Sequence, residues 1–252
     1  MMNLTLDQLI DHLNEDLGWR KTELTKLSFM ENVNDELKSK SMILLIYSHW
    51  EGYIKNACKQ YLIHISDRNL KLSLLTESFK AISLKGMVSE VLEHGSSLTL
   101  SNELALINKF DNPGSKKFKV PARIKEDKNK DFINTHDNLN LKTLNNFCTI
   151  IGINQIAMID GKGKYIDETL LNQRNTISHG SKIDADSNEF TLDINDINQL
   201  RDFSLLIMEH IKEEIIHFAE NEYYLLSKSE EVECRKQSTS ENLRNQMEEI
   251  FS

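Results

Sequence analysis

The chain has 252 residues, enough to bury the core of one large domain or two small ones. Two prolines and nine glycines leave few helix breakers, and a composition led by Leu, Ile, Asn, Lys and Glu points to an all-α protein. A net charge of −9 excludes a surface that grips nucleic acid over its whole extent, and the most apolar run, Met42–Tyr47, is far too short to cross a bilayer.

The N-terminal stretch MMNLTLDQLIDHLNED lacks a basic segment followed by an apolar one, so no signal peptide is expected. Cys58, Cys148 and Cys234 are isolated and odd in number, which suits reduced thiols in a cytoplasm. Thr5 is placed to cap a first helix running from Leu6 to about Glu31, on Leu6, Leu9, Ile10, Leu13 and Leu17, with Asp16 and Gly18 as a soft point. A second helix is predicted from about Asp35 to Ile65, where Ile43, Tyr47, Trp50, Ile54, Tyr61 and Leu62 keep helical period. Gly52 inside it costs about 1 kcal/mol against alanine, so something should pack close to the backbone there. Two such helices joined by a short turn predict an antiparallel pair.

Shorter helices are expected over Glu77–His94 and Ser101–Phe110, each introduced by a capping Thr or Ser. Asn112–Asn134 has little periodicity and reads as a mobile inserted loop. Within it, Gly114–Lys130 carries seven Lys/Arg against Glu126 and Asp127, a local charge of +5. Helix returns over Asn140–Ile151 and stops at Gly152. Tyr165–Gly180 is predicted as one α-helix closed by a glycine at a left-handed C′ position. FTLDI, residues 190–194, suggests a short extended piece. Asp193 or Asp196 then caps a long helix to about Leu226, and Ser227–Ser252 reads as a polar tail, disordered or docked.

The polar residues of Tyr165–Gly180 gather on one side. With Arg174 at 0°, Ser178 falls at roughly 40°, Asn175 at about 100° and His179 at about 140°, with Asp167 and Glu168 on the same side. Ile166, Leu170 and Ile177 form the opposite, core-facing stripe, and Leu171, on the polar side, suits a dimer contact. An arginine, an amide and an imidazole on one face supply what metal-free RNA cleavage needs. A base frees the ribose 2′-hydroxyl to attack phosphorus, and a guanidinium stabilises the charge on the phosphoryl oxygens. Asn175, four residues before His179, can orient the imidazole. One such set per chain is thin, and a two-fold dimer would double it.

RNTISHG at 174–180, near the end of a helix and followed by a long one, resembles the Arg-x4–6-His motif of the HEPN superfamily. MILLIYSHWEGYIKNACKQYL at 42–62 is similar to the aromatic-Trp-Glu-Gly helix of its MAE-type nuclease-like subfamily. The resemblance covers about residues 1–226 as one helical domain, leaving the insertion at about 112–134 and the tail 227–252 outside it. It implies an HEPN-like up-and-down helical bundle carrying an inserted Lys-rich loop. It also implies a homodimeric, metal-independent endoribonuclease of toxin–antitoxin or antiviral defence type, with Arg174 and His179 catalytic and Asn175 orienting. A toxin branch carries a modifiable Tyr two residues after the His; here that position is Ser181. Many HEPN domains only bind RNA, nucleotides or proteins, so a non-catalytic regulatory module is the rival reading.

The remaining candidates have bland alternatives. Glu51 can orient the Arg174 guanidinium, or simply pair with Lys55 at i,i+4. Ser178 joins the polar face, but its neighbour His179 diverges by about 100° on the wheel, which disfavours a Ser–His nucleophile pair. Lys116, Lys117, Lys119, Arg123 and Lys125 are candidates to grip RNA phosphates next to the site, or a solvated loop. His49 reads as a packing histidine. His210 and His217 share a face without a third ligand, so no metal is expected. No Walker or Rossmann glycine pattern is present, and no cofactor is expected. The expected partners are an RNA substrate, a second copy of the chain and a neutralising antitoxin or defence protein, with no membrane.

Overall fold

Thr5 accepts the Gln8 N–H while the Gln8 side chain reaches back to the Thr5 N–H, a reciprocal capping box that starts α1, Leu6–Ser28. In the computed structural model, residues 3–31, 35–93, 100–111, 116–121, 124, 132–135, 138–157, 162, 165–178 and 192–252 are described. α1 passes through Gly18 without a break, because an exposed turn of a helix this long tolerates one glycine. α2, Asp35–Asp67, turns back along it. The Leu4 N–H donates to Asp67 at one end of the pair, and Trp19 meets His49 toward the other.

α2 is the spine. Trp50, Tyr53, Ile54, Ala57, Tyr61 and Leu62 are fully buried, each large side chain contributing about 1.5–3 kcal/mol of transfer free energy. Packed around it are α1, α7 (Ile194–Glu220), α5 (Leu141–Ile151) and α6 (Asn172–Ser178). α7 begins on a second capping box, Asp193 with Asp196, and runs parallel to α2, since Arg68 pairs with Glu222 at their C-terminal ends. α3 (Glu77–Glu93) and α4 (Ser101–Asp111) form a hairpin, and α3 leans on α5. α5 ends at Gly152, whose φ of +76° needs glycine. The fold is all-α, and the only β-pairing among the described residues is two isolated bridges.

The structure departs from the sequence expectations in two places. Tyr165–Leu171 is a π-helical segment that becomes α6 only at Asn172. Its i→i+5 bonding brings Leu171 onto the face of Ile166, so Leu171 is buried in the core and not available as a dimer contact. Second, Lys116–Pro121 is tied down: Phe118 is fully buried against Phe79, its N–H donating to Leu70 O. Of the two alternatives for the C-terminal stretch, the docked one holds: it folds as α8, Ser229–Ile250, antiparallel to α7. Its Arg235 donates through both terminal nitrogens to the buried Glu214. Phe251 beyond it closes an aromatic cluster with Tyr165 and Phe203. Of the expected extended piece at 190–194, residues 190 and 191 lie outside the described residues, Asp193 is the N-cap of α7 in extended backbone, and Ile194 is its first helical residue.

Candidate active site in a groove along the second helix

α2 leaves one side uncovered. Leu44, Ser48, Glu51, Gly52 and Lys55, at intervals of three, four and one, lie along that side together with the edge of Tyr47. With Arg174 of α6 they line an open cavity of about 390 Å³. Leu37, Leu44 and Ser48 are exposed along the same helix.

Arg174 is placed by an aromatic ring and two amides. Its guanidinium carbon lies 4.5 Å from the centroid of the Tyr47 ring. Nη1 donates to the Asn175 side-chain oxygen at 2.7 Å and more distantly to that of Asn138 at 3.5 Å. Tyr47 is itself buried, and its hydroxyl accepts the Leu139 N–H at 3.2 Å. Burial pushes the phenol up to about 12, and its hydrogen bond to Glu51 adds to this against the Leu139 N–H and Arg174. Tyr47 therefore stays protonated and donates to the Glu51 carboxylate.

Thr135 and the stretch 138–141 lock the arrangement. Thr135 donates to Glu51, and Trp50 Nε1 donates to Leu139 O at 2.9 Å. Asp167, from the π-helical segment, accepts the Leu141 N–H at 2.9 Å and so joins the start of α5. That is a correction for Asp167, which the helical wheel placed beside Arg174. It follows from the same π geometry that buried Leu171.

Of the expected site residues, the structure brings Arg174, Asn175 and Glu51 to one groove. Asn175 serves the arginine through its oxygen. Glu51 shares the cavity with Arg174 but bonds Thr135, Tyr47 and Lys55, the last at 3.4 Å, so the bland i,i+4 pairing is present. Ser178 is exposed at the end of α6. His179, Gly180 and Ser181 lie outside the described residues, as do Arg123 and Lys125. Lys116, Lys117 and Lys119 are exposed, but Lys119 donates to Ser66 O near the C-terminal end of α2. At 1.5 Å per residue that is about 28 Å along the helix from Tyr47 and about 16 Å from Lys55, the near end of the groove, so these lysines do not line it. Phe118, their one aromatic neighbour, is spent on the core.

Tyr47, Asn138 and Thr135 were not foreseen. Tyr47 could have been found from its position four residues before Glu51, one turn up the same face; nothing local in the sequence announces Asn138 or Thr135. On the α1 side of Gly52 lies a second polar cluster. Arg20 Nε donates to Asp16 at 2.8 Å, Asp16 accepts from Asn56 at 2.7 Å, and Arg20 Nη1 lies 3.3 Å from His49 Nδ1. His49 Nε2 lies 3.0 Å from Glu23. Burial, followed by the Arg20 charge, lowers the His49 pKa and keeps the ring neutral. Among the described residues, no group of three His, Cys, Asp or Glu is arranged to hold a metal, and no helix is long and apolar enough to cross a membrane.

A family model described as HEPN_MAE_28990-like HEPN matches residues 9–224. No curated protein and no solved structure matches the chain.

Proposed function

The chain belongs to the HEPN_MAE_28990-like HEPN family, and from that premise we propose that it is a metal-independent endoribonuclease of the cytoplasm. The observation that carries the reading is the setting of Arg174. Its guanidinium stands at an open groove, held by a ring face and amide oxygens, which leave its charge available to a phosphate. His179, five residues on, is the proton-transfer group. It takes the proton of the ribose 2′-hydroxyl, the 2′-oxygen bonds to phosphorus, the bond to the 5′-oxygen breaks, and a proton passes to that leaving oxygen from the His179 imidazolium or from water. Arg174 stabilises the charge gathering on the phosphoryl oxygens. The products carry a 2′,3′-cyclic phosphate and a 5′-hydroxyl.

Two copies meeting across the exposed Leu37, Leu44 and Ser48 stripe would set two such grooves side by side and double the single Arg–His set. An enzyme of this kind suits a toxin with a neutralising partner, or a defence nuclease.

The test is digestion of single-stranded RNA by the wild-type chain, Arg174→Ala and His179→Ala. Cleavage should vanish in both variants, survive EDTA and leave cyclic phosphate ends. Undiminished cleavage by either variant, or uniform 3′-hydroxyl ends, sinks the reading. A second reading, a non-catalytic RNA- or protein-binding module, is favoured by the net charge of −9 and by the distance of the described lysines from the groove. It predicts binding without cleavage.

A further inference from the structure

The two tryptophans have opposite fates. Trp50 is fully buried, with its indole N–H on Leu139 O. Trp19 is 48% exposed, yet it is held on several sides. Its Nε1 donates to Asp16 at 2.9 Å, the Arg20 guanidinium carbon lies 4.5 Å from its ring centroid, and the His49 ring meets it edge-on at 5.1 Å. An exposed indole fixed in this way has already lost its rotamer freedom and presents a rigid π-surface to solvent.

Its place matters as much as its rigidity. The Arg20 guanidinium that stacks on Trp19 also lies against Gly52, where a Cβ would sit only 2.9 Å from Nη1. Gly52 lines the Arg174 groove. The absence of a side chain at 52 therefore lets the Arg20 guanidinium, on which Trp19 stacks, close on the turn of α2 that lines the groove, while Arg174 stands on the α6 side. Charge differs across it: Arg20 is neutralised by Asp16, whereas among the described residues Arg174 meets only neutral groups. A phosphate is drawn to the Arg174 side. A neutral, flat group suits the other.

We infer that Trp19 is a stacking platform for a nucleobase of single-stranded RNA, on the α1 flank of α2 opposite the phosphate held at Arg174. The inference rests on the reading of the groove as an RNA site and adds to it a residue that holds a base further along the strand. Stacking on an aromatic side chain is tolerant of base identity, so Trp19 contributes affinity and register without sequence preference.

The contrast between the tryptophans supplies the readout. The full chain is titrated with a 2′-O-methyl oligoadenylate of about ten nucleotides, which lacks the attacking hydroxyl and spans a typical single-strand site. Wild type and Trp50→Phe show saturable quenching of the exposed tryptophan. By fluorescence anisotropy of a labelled oligonucleotide, Trp19→Ala weakens binding about tenfold, while Trp19→Phe stays within about threefold because a ring remains. In cleavage assays Trp19→Ala raises KM with little change in kcat. Arg174-dependent cleavage with KM and oligonucleotide affinity unchanged in folded Trp19→Ala overturns the inference and leaves the nuclease reading standing. Quenching and the tenfold loss in a chain that never cleaves RNA sustain the inference and remove the nuclease reading. Loss of self-association in Trp19→Ala without loss of RNA affinity makes Trp19 a protein contact and also overturns it.

Discussion

Two arginines flank the same glycine-marked stretch of α2 and are treated in opposite ways. Arg20 is nearly buried and donates to an equally buried carboxylate, Asp16, in a cluster completed by Asn56, His49 and Glu23. Arg174 is half-buried at an open groove, over the Tyr47 ring and against two amide oxygens. A paired charge in a nearly dry setting holds two helices in register; losing either partner strands the other at a cost of several kcal/mol. A charge oriented by neutral groups keeps its pull on an anion that arrives later. The comparison separates an arginine that serves the fold from one whose charge is left open to a groove.

Substitution should break the pair apart most visibly. Arg174→Ala is expected to lower RNA cleavage by at least about 10²-fold while moving folding stability by less than about 1 kcal/mol. Arg174→Lys should not restore activity, because a point charge cannot replace the planar fork. Arg20→Leu should do the reverse in a urea titration, costing about 3 kcal/mol by leaving Asp16 buried and unpaired. Equal stability losses in the two arginine variants would erase the distinction.

Next in size is Tyr47→Phe. The ring stays under the guanidinium, but the Leu139 N–H loses its acceptor and Glu51 a donor, for a cost of about 1–2 kcal/mol. Thermal melting checks this, and a loss as large as that of Arg20→Leu would mean the ring itself had moved. The two helix glycines then form a matched test. Gly52→Ala should cost about 1 kcal/mol net, since the new Cβ displaces a guanidinium pinned by Asp16. Gly18→Ala, with nothing within 4 Å of its Cβ position, should gain about 0.5–1 kcal/mol. Effects of the same sign would contradict the close approach at Gly52.

The smallest effect is a drift with pH. Burial, reinforced by Arg20, keeps His49 neutral in the folded chain, whereas in the unfolded chain it titrates near the usual value of about 6.5. Its folded pKa is the lower one, so its contribution is fully present above about pH 6.5 and is lost as the pH falls through that value toward the folded pKa. His64 and His210, also lowered by burial, act in the same direction. Urea midpoints measured from pH 8 to 5 should fall, with a shallower slope in His49→Asn. An identical slope would remove His49 from the account.

Much of the scaffold was legible because it is local physics. Thr5 and Asp193 cap the helices that follow them, and Gly152 ends α5, since capping needs only neighbours in the chain. The apolar period of α2 marked the spine, and Gly52 flagged a close approach whose partner, Arg20, could not be named from the chain. Tyr165–Ser178 does not follow its periodic pattern. A wheel of 3.6 residues per turn assumes α geometry, and the π-helical segment exchanges the faces of Asp167 and Leu171.

By itself the sequence determined the all-α class, the long helices and most of their caps, and the placing of Asn175 beside Arg174. These depend on spacing and on groups a few residues apart. The tertiary structure decided which arginine would be neutralised and which left facing a groove, that Tyr47 supports Arg174, and that the lysines at 116, 117 and 119 sit far along α2. Those outcomes depend on contacts between segments tens of residues apart, such as Arg20 with His49 or Arg174 with Asn138. Whether a charge meets a carboxylate or an aromatic face is set only once the helices have packed.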